Sequence, residues 1–102
     1  MRDAGIENAV DEMLETFLAD LPARLAAIRD AAESESSERT TTAAHALKSA
    51  AMMVRANSLG HLLEVLETTG REGNVDQLKS RAEDAISEAR RVCDQLQRHL
   101  AR

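Results

Sequence analysis

The stretch AHALKSAA, residues 44–51, puts a histidine, a lysine and a serine within one helical turn. An imidazole can move a proton, bind a metal, or attack an electrophile through a ring nitrogen. On a helix each residue advances about 100°. His45, Lys48, Ser49 and Met52 then share one side, while Ala43, Leu47, Ala50, Ala51 and Val54 fall on the other. His45 is therefore expected to point away from the core. Lys48 could neutralise negative charge arriving at the ring. The small alanines and Ser49 leave room for approach, and Met52 adds a flexible apolar rim. These are the needs of a histidine that accepts a phosphoryl group: access, a cation for the oxygens, and a docking surface. Taken singly, an exposed His, Lys or Met on a helix needs no function.

Two further features favour this face. No Asp or Glu occurs from Arg39 to Leu63, a window carrying +3 in a chain of net charge −5. On the next helix, Gly60, Glu64, Glu67 and Arg71 form a row beside a leucine stripe. Glu67 lies close to that stripe, at the expected seam. A carboxylate there could accept the proton of one imidazole nitrogen, orient the ring, and make the other nitrogen more nucleophilic.

Other chemistries find less support. His45, His61 and His99 fall on different helices, with no Glu-x-x-His pair of the kind that metal-binding bundles use. His61 points away from its leucine stripe, and His99 lies near a helix C-terminus, where it favours the dipole. Cys93 is expected as a small buried hydrophobe. A lone cysteine excludes an internal disulfide and fits a reducing, cytoplasmic setting. No glycine-rich phosphate loop is present, so no nucleotide site is expected. The acidic balance argues against nucleic acid. No apolar run is long enough for a membrane span, and the N-terminus has no leader pattern.

The elements that must hold these groups follow from periodicity. Ile6, Val10, Met13, Leu14, Phe17, Leu21, Leu25 and Ile28 mark a first helix, kinked or split near Pro22, with Asp20 as a cap if it splits. Ser34–Ser37 is the first loop. The second helix is expected over about 37–54. The third starts near Asn57 or Ser58 and ends at Gly70 to Gly73. Asn74, with Gln77 three residues on, opens a fourth whose stripe is Val75, Leu78, Ala82, Ile86, Ala89, Val92, Cys93, Leu96 and Leu100. The 102 residues suffice for one core. The expectation is a single all-α domain over 1–102, an antiparallel up-down-up-down four-helix bundle, monomeric because its stripes satisfy one another.

AHALKSAA followed by SLGHLLEVLE, residues 58–67, resembles the histidine-containing phosphotransfer (HPt) domain of two-component phosphorelays. The family pattern is H-x-L-K-G/S-x-A on the second bundle helix, and the likeness runs from FLADLPARLAAIR, residues 17–29, to the last helix. The resemblance implies that His45 accepts the phosphoryl group, Lys48 stabilises it, and Glu67 orients the imidazole. Ser49, where the family often has Gly, Met52 and Arg55 are expected on the docking side. Arg55 stands where the family usually has a turn glycine. A positive φ there would cost about 1 kcal/mol, unless Asn57 takes the strained position. The implied partners are response-regulator receiver domains and a hybrid histidine kinase. Mg²⁺ is expected from the receiver, with no cofactor of the chain's own. The competing expectation is a helical adaptor that docks receivers without passing phosphate.

Overall fold

A computed structural model describes the backbone of residues 4–101 and the side chains of residues 8–101. Four helices follow one another: α1 (Ala4–Glu33), α2 (Ser37–Met53), α3 (Asn57–Arg71) and α4 (Val75–Ala101). Short turns join them as an antiparallel bundle. The core is aliphatic around one ring, Phe17, and includes Leu21, Ile28, Leu47, Leu59, Leu63, Leu66, Leu78 and Ile86. On α2 the fully buried residues are Thr40, Ala44, Leu47 and Ala51, so the His45 face is the outer one.

α1 runs unbroken through Pro22, so the split form is not adopted and Asp20 caps nothing. Pro22 is exposed. The Leu18 carbonyl, which loses its helical N–H partner there, can bond water instead.

The helices differ in length, and this decides which stripe residues are covered. At 1.5 Å per residue, α1 is about 45 Å long and α2 about 25 Å. The outer end of α1 therefore passes the turn between α2 and α3. Val10 and Met13, expected in the core, are 43% and 36% exposed. They border a groove of about 420 Å³ with Met53, Val54 and Leu96. Ile6, expected on the same stripe, lies outside the described side chains. Val75 is also exposed at the start of α4, and Cys93 is half-buried rather than buried.

α1, α2 and α3 end in the same way. After each, one residue takes positive φ: Glu35 (56°), Arg55 (61°) and Gly73 (72°). The following N–H reaches back to close the last turn: Ser36 to the Ala31 carbonyl at 3.0 Å, Ala56 to Ala51 at 2.9 Å, Asn74 to Thr69 at 3.1 Å. This is the Schellman arrangement, which favours glycine at the left-handed position. Only the third site has one. Arg55, not Asn57, carries the strain at the turn after α2. α3 begins at Asn57 with Ala56 as its cap residue and no side-chain cap bond. The cap expected from Asn57 or Ser58 is not formed, because both residues already lie within the first turn of the helix.

α2 and α3 approach closely at one end. A Cβ added to Gly70 would collide with Thr41 Oγ1 and lie 2.9 Å from the Ser37 carbonyl oxygen. That close approach draws the two helices into a tight seam.

Candidate functional site

The seam of α2 and α3 brings together His45, Lys48 and Glu67, with Ser49 beside them. His45 lies on the outer face of α2, its side chain 61% exposed. Its Nδ1 is 3.1 Å from Glu67 Oε2. The Glu67 side chain is only 6% exposed, on the buried side of α3 beside Leu63 and Leu66.

Burial pushes the Glu67 carboxyl up, the largest single influence on it. Lys48 and then His45 more than offset this, so its pKa lies below the ordinary 4.5. Glu67 is thus a carboxylate near neutral pH. A carboxylate only accepts, so Nδ1 must carry the hydrogen and donate it. In neutral imidazole that leaves the lone pair on Nε2. Nε2 has no protein partner among the described residues. The histidine presents its nucleophilic atom outward and holds its proton inward.

Lys48, one turn after His45, is pulled into the seam. Its Nζ lies 2.8 Å from Glu67 Oε1 and donates to Glu64 Oε1 at 3.2 Å. Glu67 first, then Glu64, raise the lysine pKa above its ordinary value. The lysine is cationic wherever the protein functions. Ser49 is exposed, and its hydroxyl donates to the His45 carbonyl at 3.2 Å. That bond folds the side chain back onto its own helix and off the surface around the ring.

Arg71 completes the cluster. Its Nη2 donates to Glu67 Oε2 at 2.6 Å, the same oxygen that receives Nδ1. Glu67 therefore sits among three basic groups, with one from its own helix and two from α2. Arg71 and Glu64 belong to the row noted beside the leucine stripe, but neither was singled out. Their i+4 and i−3 spacing from Glu67 carried the signal.

Met52 is 61% exposed beyond Lys48, and its Cγ would lie 3.6 Å from a Cβ on Gly60. That is an ordinary packing distance, so Met52 lies over the buried Gly60 of α3. Arg55 is exposed at the turn after α2, beside Arg91 and Glu88 of α4 across a cleft of about 310 Å³. It is not part of the His45 cluster.

The other histidines stand apart. His61 is exposed on α3. His99 of α4 lies 4.0 Å from Asp11 of α1. Among the described residues no group of three His, Cys, Asp or Glu is placed to hold a metal ion, and no helix is long and apolar enough to cross a membrane.

The Hpt domain family matches the chain over residues 12–102. No curated protein and no solved structure matches it.

Proposed function

The chain belongs to the Hpt domain family, and on that premise we propose that it relays a phosphoryl group between His45 and the aspartate of a response-regulator receiver domain. Hpt domains act in phosphorelay signalling, so phosphotransfer is the family's activity. The observation that supports placing it at His45 is the contact of Nδ1 with the buried Glu67 carboxylate, which leaves Nε2 free and exposed.

In the proposed step, the Nε2 lone pair attacks the phosphorus of a receiver acyl phosphate. The N–P bond forms as the O–P bond breaks, and the receiver carboxylate leaves with the electron pair. The Nδ1 hydrogen stays on the ring. The ring gains positive charge, and Glu67, 3.1 Å away, is already in place to stabilise it. Lys48 is one helical turn from the ring and supplies a cation for the phosphoryl oxygens. The reverse attack, by the receiver carboxylate on phosphohistidine, returns the group.

Mg²⁺ in this scheme comes with the receiver. The carboxylates of the cluster, Glu64 and Glu67, are both paired with Lys48, and Glu67 also with Arg71. They do not form an open oxygen set for a hard cation. Ser49 and Met52 flank His45 as the docking rim, and Arg55 extends it toward the turn.

The test is to incubate the protein with a panel of phosphorylated receiver domains. The expected product is an acid-labile, base-stable phosphate that is absent in His45→Gln, with helicity unchanged. Binding without transfer would favour the adaptor instead, and label persisting in His45→Gln would place the chemistry elsewhere. Met52→Lys is expected to weaken receiver binding in a titration without lowering the thermal midpoint.

A further inference from the structure

Lys48 is held by two carboxylates that differ in one respect. Glu67 is buried and is fixed also by His45 and Arg71. Glu64 is 52% exposed, and among the described residues its one other hydrogen bond is from the Thr68 hydroxyl at 3.5 Å. The Glu67 contact is buried and braced from both helices, whereas the Glu64 contact is exposed and can yield.

An ammonium has three hydrogens and no acceptor. One hydrogen is donated to Glu64, and the buried Glu67 Oε1 lies 2.8 Å from the same nitrogen as an ion-pair partner. A phosphoryl group on Nε2 brings further anionic oxygens within reach of the same ammonium. The gain from that new contact is reduced by whatever Lys48 gives up at Glu64. The Glu64 charge also stands on the same exposed face as the incoming dianion. Both effects have one sign: they disfavour the phosphorylated histidine.

The geometry points to Glu64 as a positioning residue, which holds Lys48 on the α3 side of the seam and thereby sets how the phosphoryl group divides between His45 and the receiver. This rests on the relay reading above. Glu64 touches neither the imidazole nor the transferred group, and acts through Lys48. It biases the relay toward delivery, since phosphate on His45 is held less firmly than an unshared lysine would hold it. The chemistry is the same balanced exchange of an O–P for an N–P bond. Only its equilibrium moves.

The experiment compares the wild type, Glu64→Gln and Glu64→Asp at equilibrium with one phosphorylated receiver. Glu64→Gln is expected to raise the ratio of phosphohistidine to phosphoaspartate by about threefold, the scale of an exposed ion pair. Glu64→Asp is expected to move the ratio back toward the wild type. A second readout is the Lys48 ammonium nitrogen resonance. It is expected to shift when His45 is phosphorylated, and to be displaced already in unphosphorylated Glu64→Gln. A phosphorylated wild type with an unchanged ratio in Glu64→Gln, or a Lys48 resonance indifferent to phosphorylation, would overturn this proposal alone. A wild type that takes phosphate from no receiver would overturn the relay reading and this proposal with it.

Discussion

Two arginine–carboxylate pairs in this molecule have the same closest distance, 2.6 Å: Arg71–Glu67 on α3 and Arg91–Glu88 on α4. By local geometry the second is the better pair. Arg91 donates twice, from Nε to Oε1 at 3.0 Å and from Nη2 to Oε2 at 2.6 Å. Yet it joins residues three apart on one helix and reaches no other element among the described residues. The Glu88 pKa is lowered first by Arg91, with burial opposing. At Glu67 the order is reversed. Burial is the largest influence, and groups from a second helix must overcome it. Glu67 has been taken out of water and solvated again by Lys48, His45 and Arg71. That exchange preorganises charge around one imidazole. Bond geometry alone does not separate the two glutamates; burial and partners from a second helix do.

The difference between seam and surface can be broken most severely at Gly70. Gly70→Ala is expected to lower stability by about 3 kcal/mol, the upper part of the overpacking range. The opposing Ser37 carbonyl is backbone and cannot turn aside. Chemical denaturation would measure this, and the seam should open enough to weaken the His45–Glu67 contact too.

Glu67→Gln should come next, at about 1–2 kcal/mol, since a charged acceptor becomes a neutral one beside three basic groups. Its pH signature is that of a carboxylate stabilised on folding. The Glu67 pKa is lowered on folding, so its contribution is complete above pH 4.5 and is lost as pH falls through the depressed folded value. Below pH 4.5, Glu67→Gln should therefore lose stability less steeply than the wild type. Parallel curves would mean that the carboxylate is not stabilised in the fold.

Arg55→Gly sharpens the comparison from the other side. The residue lies near the seam but outside the cluster, and only its backbone is strained. Glycine should raise stability by about 0.5–1 kcal/mol. Receiver affinity would then show whether the arginine side chain contributes to docking. The smallest effect belongs to the surface pair: Arg91→Ala should leave both the thermal midpoint and phosphotransfer unchanged.

Much of this was legible in the chain. The outward side of α2 follows from the spacing of His45 against Leu47 and Ala51, because a helical period fixes which residues oppose one another. Glu67 was legible as a seam residue for the same reason. Its hold on Lys48 was not, since contact between helices depends on their separation, which Gly70 sets through Thr41 and Ser37. The exposure of Val10 and Met13 was hidden too. Periodicity gives the face of a helix but not how far its neighbours extend. The turn after α2 was half legible: the strained position was located, but the choice between Arg55 and Asn57 needed the backbone.

If Glu67 fixes the Nδ1 hydrogen, Nε2 is the atom that takes the phosphoryl group. Histidine labelled with ¹⁵N, phosphorylated by a receiver and observed through its phosphorus–nitrogen couplings, tests it directly. The expected result is phosphorus bonded to Nε2 of His45, with Nδ1 still protonated. Phosphorus on Nδ1 would mean that Glu67 does not hold that nitrogen's hydrogen, although it is the one turned toward the carboxylate.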